Sequence, residues 1–248
     1  MILCVDSGNS RIKWGLHGDG RWLETVAVDH ENRAKMAELP QRLPMPDCVM
    51  LANVAGPAVA AAIRLALAPW GAVLHEVEST AAAAGVTNLY DDPARLGVDR
   101  WCALIGARGM SAAPCVVVMA GTATTIDALD GDGRFLGGLI LPGLDLMRRS
   151  LARDTAALPL AAGKHTPYPR CTDDAIVSGC IEAQAGAIER ACARLEPGAL
   201  CLLSGGAAGA IGEHLKVPYR RVGNLVLEGL LRLAPGGAAV HAAGKNSG

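Results

Sequence analysis

Two short stretches of small, hydroxyl-bearing residues carry the most chemistry in this sequence. Asp6-Ser7-Gly8-Asn9-Ser10-Arg11-Ile12-Lys13 follows an apolar run at 1–5, and Gly121-Thr122-Ala123-Thr124-Thr125-Ile126-Asp127 follows Cys115-Val116-Val117-Val118-Met119-Ala120. Gly, Ser and Thr at a turn let backbone N–H groups and hydroxyls approach phosphate oxygens closely. Lys13 adds a positive charge suited to a polyphosphate. Asp6, at the end of its strand, suits Mg²⁺ held partly through water. Either turn alone reads first as an ordinary β-hairpin. The two together, with Lys13 and Asp127, point to phosphate.

A third segment is Tyr90-Asp91-Asp92-Pro93-Ala94-Arg95-Leu96-Gly97-Val98-Asp99-Arg100-Trp101. It puts a carboxylate and a guanidinium side by side near a glycine, early in an apolar helix. Buried charge is costly without partners. One reading is a structural ion pair or a solvated helix edge. The other is a carboxylate that accepts a proton from a substrate alcohol, with Arg100 gripping an anionic group through its planar fork.

Several other chemistries are excluded by pattern. Gly163-Lys164 is followed by His165, and Leu158 occupies the place of the first glycine of a Walker A loop. No G-x-G-x-x-G follows a strand, and no G-x-S-x-G elbow occurs. The histidines at 17, 30, 75, 165, 214 and 241 form no close metal pair. The cysteines at 4, 48, 102, 115, 171, 180, 192 and 201 form no C-x-x-C.

The elements that must position these groups alternate. Strands are expected at 1–5, 11–16, 48–54, 72–77, 115–120, 134–141 and 200–203, with a return strand after the second turn. Helices are expected at 31–39, 58–67, 93–108, 144–153 and 225–233, and after Thr172, which reads as an N-cap. The long helix after Thr172 carries an apolar stripe of Ile176, Cys180, Ala183, Ala187, Ile188, Ala191 and Leu195. Strand–helix alternation in both halves makes the class α/β. Val5 lies over Val118, an offset of 113 residues, so a weak internal repeat matches Asp6 to Met119 and Gly8 to Gly121. Domains of 1–113 and 114–248 follow, with the tail from Pro235 frayed.

Composition narrows the class further. The chain has 248 residues, net charge −1 and 19% charged residues, with no strongly basic run. Nucleic acid and anionic membranes are therefore not expected partners. No apolar stretch approaches the ~20 residues of a membrane span. Without a signal-peptide pattern at the N-terminus, reduced thiols and a cytoplasmic location are expected.

D-S-G-N-S-R-I-K at 6–13, L-G-V-D-R at 96–100, G-T-A-T-T-I-D at 121–127, G-G-L-I-L-P-G-L at 137–144 and S-G-G-A at 204–207 occur in this order. Together they resemble the type III pantothenate kinases, including members described as Bvg accessory factor-like. The resemblance spans residues 1 to about 230. It implies a duplicated actin-like (ribonuclease H-like) two-domain kinase fold with a central cleft, in the acetate kinase, sugar kinase and heat-shock 70 group. It also implies a homodimer and ATP-dependent phosphorylation of the primary hydroxyl of pantothenate, the first step of coenzyme A biosynthesis.

Carried over residue by residue, the resemblance makes Asp99 the general base and Asp6 a Mg²⁺ contact. Ser7, Gly8, Asn9, Ser10, Arg11, Ile12 and Lys13 would face ATP phosphates from one domain, and Gly121 and Thr122 from the other. Ser204, Gly205 and Gly206 would pass close to the adenosine. Tyr90, Gly97, Val98, Arg100 and Thr172 would contact pantothenate. One departure stands out. Many members carry an acidic residue before the second turn, as D-x-G-T, associated with a bound K⁺ or NH₄⁺. Met119 takes that place here, and a thioether is a poor ligand for a hard cation. The usual monovalent-cation site is therefore expected to be missing. Two alternatives are a kinase of the same fold acting on another small alcohol and a non-catalytic nucleotide-binding regulator.

Overall fold

Strand β1 (Ile2–Ser7) is buried along nearly its whole length, as a central strand covered on both faces must be. It pairs antiparallel with β2 (Arg11–Gly18), which pairs antiparallel with β3 (Arg21–Asp29). In β3, Trp22, Glu24, Val26 and Val28 turn inward while the alternate residues are exposed, the period-two pattern of a strand with one covered face. A 3₁₀ segment (His30–Glu38) and the single turn α1 (Leu39–Arg42) follow. Next come β4 (Cys48–Asn53), α2 (Pro57–Ala66), a second 3₁₀ segment (Ala68–Val73) and β5 (Leu74–Glu76). The first sheet has the order β3-β2-β1-β4-β5, with β4 parallel to β1 and β5 parallel to β4.

The short strands β6 (Ala82–Ala83) and β7 (Val86–Asn88) form a hairpin. It leads to a 3₁₀ turn (Pro93–Arg95) and then to α3 (Val98–Met110). The single helix expected over 93–108 is thus broken at Leu96-Gly97. Helix α3 is apolar on all sides from Trp101 to Ala107 and is buried accordingly.

The second unit opens with β8 (Cys115–Ala120), β9 (Ala123–Leu129) and β10 (Arg134–Pro142). Helices α4 (Leu144–Asp154) and α5 (Thr172–Cys192) follow, then β11 (Leu200–Ser204), α6 (Ala208–Gly212) and β12 (Arg220–Arg221). Within this unit the strands run β12-β11-β8-β9-β10, antiparallel through β8, β9 and β10 and parallel through β8, β11 and β12. This is the strand order and direction of the first sheet repeated. The last helix is α7 (Leu225–Leu233).

The computed structural model describes residues 1–196 and 198–236. It divides into Met1–Met110 with the segment from Leu225, and Ser111–Asn224. The chain therefore passes between the units at 110/111 and again at 224/225, so α7 belongs with the first unit. The cause is packing. Leu225, Val226, Leu227, Leu230 and Leu231 are buried, and α7 crosses α3 where Gly106 and Gly229 meet. A Cβ on Gly229 would run into the Cys102 carbonyl, so the crossing depends on bare backbone. Most of the tail expected to be frayed lies outside the described residues.

Alternation along β1 and β2 sorts their side chains. Leu3, Val5, Ile12, Trp14 and Leu16 join Met36, Val49, Leu51, Ile63 and Trp70 in one core. Cys4, Asp6, Lys13 and Gly15 turn to the opposite face. In the second unit Val116, Val118, Ala120, Ile126 and Leu203 pack with Ile188, Ala191 and Ile211. Met119, Thr125 and Asp127 take the opposite face there.

Candidate active site

The β1–β2 turn is closed by the Gly8 N–H, which donates to the Arg11 carbonyl at 3.0 Å. The Gly8 carbonyl accepts from His30 Nε2 at 2.7 Å, which fixes that nitrogen as the protonated one. Asn9 and Ser10 are exposed at the tip. Arg11 holds Asp29 in an exposed pair at 2.8 Å. The Ile12 side chain is fully buried in the core, so only its backbone faces the turn. Ser7 is also fully buried, and its Oγ has no hydrogen-bond partner among the described residues. Such an atom is uncommon and calls for an explanation.

Asp6 and Lys13 are direct partners across the ladder. Asp6 is 8% exposed. Burial pushes its carboxyl up to about 7, the Lys13 ammonium pulls it down, and the Asp99 carboxylate pushes it up again. Asp6, Lys13 and Asp99 thus share one electrostatic neighbourhood, although 93 positions separate Asp6 from Asp99. The Cys102 thiol, one turn further along α3, is held far above its usual range by burial and by both carboxylates.

The approach to α3 is tied down by Asn88, whose role the sequence reading missed. Its Oδ1 accepts the Tyr90 N–H at 3.1 Å, and its Nδ2 donates to the Pro93 carbonyl at 3.1 Å. Asn just ahead of an Asp-Asp-Pro turn was the available signal, since Asn side chains bond the backbone two residues on. Asp92 Oδ1 accepts from the Ala94 N–H at 3.1 Å and caps the 3₁₀ turn. The Gly97 carbonyl accepts from the Trp101 N–H at 3.0 Å and starts the helix. Val98 and Asp99 are half-buried. Asp99 Oδ1 accepts the Arg100 N–H at 2.9 Å, in the first turn where a helix favours negative charge. Arg100 is 5% exposed, and its Nη1 donates to Tyr90 Oη at 2.9 Å. Tyr90, Gly97, Val98, Asp99 and Arg100 therefore form one constellation in the first unit.

The second unit brings Gly121, Thr122, Ser204, Gly205 and Gly206 together. The Gly121 N–H donates to the Ala123 carbonyl at 3.0 Å, closing a turn one residue shorter than the first. Thr122 is exposed, and its carbonyl accepts the Gly143 N–H at 2.9 Å. Ser204 pairs with Met119 across the parallel ladder. Gly205 has φ +103° and lies against the Ala120 backbone so closely that a Cβ would collide with it. The space beside Gly206 is open. Thr124 and Thr125 are buried, with hydroxyls that have no partner among the described residues.

Thr172 differs from expectation. Cys171 occupies the N-cap position of α5, with no side-chain cap bond, and Thr172 is already the first helical residue. The Thr-Asp-Asp sequence resembles a cap, but the chain reaches extended geometry one residue earlier. The exposed Thr172 instead lines a cavity of about 870 Å³ within the second unit, with Met147, Leu151, Leu158 and Ile176. It belongs to a different unit from Tyr90 and Arg100.

The residues around β1 fit a divalent ion and a phosphate chain. A buried carboxylate, an ammonium across the ladder and an orphaned hydroxyl offer oxygen ligands and countercharge. The second hairpin does not fit a hard monovalent cation in the same way. The residue that matches Asp6 there is Met119, half-buried and without a side-chain oxygen.

A family model described as type III pantothenate kinase matches residues 2–194. Similar proteins include the type III pantothenate kinase of Dechloromonas aromatica, 59% identical over 235 residues, covering 94% of this chain and 99% of that one. Another is the type III pantothenate kinase of Aromatoleum aromaticum, 51% identical over 241 residues, covering 96% and 100%. Among solved structures, the activator of the 2-hydroxyisocaproyl-CoA dehydratase from Clostridium difficile with bound ADPNP is similar at a TM-score of 0.54. It is 10% identical, with 100% of this chain and 98% of that one covered. MreB5 of Spiroplasma citri bound to ADP is similar at a TM-score of 0.52 and 10% identity, covering 99% and 98%. At these identities the two structures speak for the fold, an actin-like α/β arrangement of two related units. No helix among the described residues is long and apolar enough to cross a membrane. Built on the actin-like kinase fold, with its matched motifs on both hairpins and at the head of α3, the chain belongs to the type III pantothenate kinase family.

Proposed function

We propose that this protein transfers the γ-phosphoryl group of ATP to the primary hydroxyl of pantothenate, giving 4'-phosphopantothenate for coenzyme A biosynthesis. The observation that carries the reading is the joint placement of Asp6, Lys13 and Asp99, with Tyr90 and Arg100 beside Asp99. A nucleotide-binding scaffold would need the first turn but not a second carboxylate at the head of α3.

Phosphoryl transfer depends on positioning and charge stabilisation more than on covalent chemistry. In this reading Asp99 accepts the proton of the pantothenate hydroxyl as its oxygen bonds phosphorus. Its proton affinity matters late in that step. Arg100, held by Tyr90, grips the pantothenate carboxylate, with Gly97 and Val98 beside it; Thr172 is assigned a substrate hydroxyl contact. The Gly8–Lys13 turn, with the Ser7 hydroxyl, is assigned to the phosphates, and so are Gly121 and Thr122. Ser204, Gly205 and Gly206 leave room for the adenosine. Asp6 would hold Mg²⁺ through water. When bound, that ion supplies countercharge to the phosphoryl oxygens.

The reading extends to a cytoplasmic homodimer. Exposed Leu136, Leu139 and Ile140 on β10 and Leu146 on α4 support a covered apolar face. Met119 supports catalysis that does not need K⁺ or NH₄⁺. The test is ATP consumption with and without pantothenate, paired with calorimetric titration of pantothenate. Saturable binding and pantothenate-dependent turnover are expected. Turnover only with another alcohol would redirect the substrate assignment. ATP binding without turnover on any alcohol would leave a regulator.

A further inference from the structure

Helix α4 ends at Asp154 and α5 begins at Thr172, and the chain between them runs as loop. It is longer than the about 12–15 residues beyond which loops are uncommon and often serve as lids. This loop lies along α5 and is pinned at alternate residues. The Ala162 N–H donates to Asp173 Oδ1 at 3.0 Å, the Lys164 N–H to Asp174 Oδ1 at 2.9 Å and the Thr166 N–H to Ser178 Oγ at 3.0 Å. Between the last two, His165 Nε2 and Glu182 Oε1 are 2.8 Å apart. We propose that residues 155–171 are a lid on the cavity beside Thr172, held shut by Asp173, Asp174 and Ser178, which opens to admit the substrate and shuts on it. The substrate named here rests on the assignment of Thr172 to pantothenate.

Both ends of the loop wall that cavity, Leu158 at one end and Pro169, Arg170 and Cys171 at the other. Met147 and Leu151 of α4 and Ile176 of α5 complete its apolar lining. A volume of about 870 Å³ suits a small organic molecule, and Ser150, Arg170 and Thr172 supply polar contacts. Moving the loop therefore moves the wall of a ligand-sized space.

The packing makes the loop easy to lift. Ala161 is buried in a small apolar cluster with Ile176 and Cys180, and its carbonyl accepts from Arg148 Nη2, while most of the loop is exposed. One buried methyl group contributes little burial, so the acceptors on α5 carry the closure. Segments with few buried apolar contacts are those that open locally and move with ligands. Gly163 sets the fit. A Cβ there would come within 2.4 Å of the Asp173 backbone, so the loop meets α5 through bare backbone.

The experiment treats the full-length protein with a low dose of trypsin under native conditions and weighs the products by mass spectrometry. Lid opening exposes the bond after Lys164 and gives fragments 1–164 and 165–248, whereas global unfolding gives complete digestion. Gly163→Ala and Asp174→Ala should be cut there at least about tenfold faster than the parent, as expected on losing a hydrogen bond to a charged group. Asp174→Asn keeps an acceptor oxygen and should stay closer to the parent. Pantothenate at about ten times its dissociation constant should slow cutting of the parent about tenfold. The proposal is overturned if neither Gly163→Ala nor Asp174→Ala speeds that cut. It is equally overturned if pantothenate binds, as measured by calorimetry, without slowing the cut. A parent that binds no pantothenate defeats the substrate assignment instead, and the cutting rates of the variants then decide the lid alone.

Discussion

The β1–β2 and β8–β9 hairpins share strand order, direction and a glycine that closes each turn, yet they differ in charge. On the first, Asp6 stands across from Lys13 with Asp99 nearby. On the second, Met119 stands across from Thr125 and beside Ser204. Duplication has kept the backbone cradle and let the side chains diverge. Each unit carries a buried carboxylate, but the first has Asp6 across from Lys13 beside the turn, whereas the second has Asp127 further back, across from Val117. In the proposed reaction this splits the labour. The first hairpin, with Asp99 of α3, handles charge and the proton, and the second offers N–H groups, hydroxyls and close backbone approach.

The sharpest way to break the comparison is Asp99→Asn. If charge chemistry resides in the first unit, turnover in a steady-state kinase assay falls by about 10²–10⁴-fold, the usual worth of a positioned base. ATP binding, measured by calorimetry, should be largely unchanged. Normal turnover would remove Asp99 from the mechanism and leave the two hairpins on an equal footing.

Asp6→Asn tests the buried charge itself, in metal-free protein. The folded-state value of about 7 lies above the ordinary 3.8. The folded state is thus favoured by the protonated form at low pH, and that contribution is lost as pH rises from about 4 through 7. The variant should match the parent in urea unfolding near pH 4 and exceed it above about pH 8, by up to about 4 kcal/mol. A constant difference across that window would mean that Asp6 is not desolvated.

Gly205→Ala probes the second hairpin, which it packs against and where the close approach is steric. A Cβ there meets the Ala120 backbone, and φ is +103°. A loss of about 2–3 kcal/mol in denaturant unfolding is expected, together with weaker ATP binding. Gly206→Ala, with open space beside it, should be nearly neutral in stability. Equal effects at the two glycines would contradict the packing.

Much of this was legible because local chemistry and fold agree. The Gly-bearing turns after apolar runs, the 113-residue offset and the alternation of strands and helices all reflect short-range rules that the fold obeys. What escaped depends on long-range packing. Nothing local says that α7 returns to the first unit, since its apolar stripe would suit either core. Only the Gly106–Gly229 crossing decides it. The α5 stripe was partly misread for the same reason. Ala183 is exposed, while Ile181, Gln184 and Ala185 complete the buried face. The grip of Asn88 on the Tyr90 loop was visible as turn chemistry, but its importance appears only once Arg100 reaches Tyr90.

The smallest expected effect bears most directly on how the hairpins diverged. Met119 stands where the repeat puts Asp6, and it offers sulfur where a hard cation wants oxygen. Exchanging Na⁺ for K⁺ at constant ionic strength should therefore change turnover by less than about twofold, within the range of general screening effects. Met119→Asp places a carboxylate beside the Thr125 hydroxyl, which has no partner among the described residues. That variant should acquire a K⁺-dependent rate while keeping its dependence on Asp99. Strong K⁺ activation of the parent would show that oxygens other than a residue-119 carboxylate hold the ion. The second hairpin would then have kept a charge-handling role by another route.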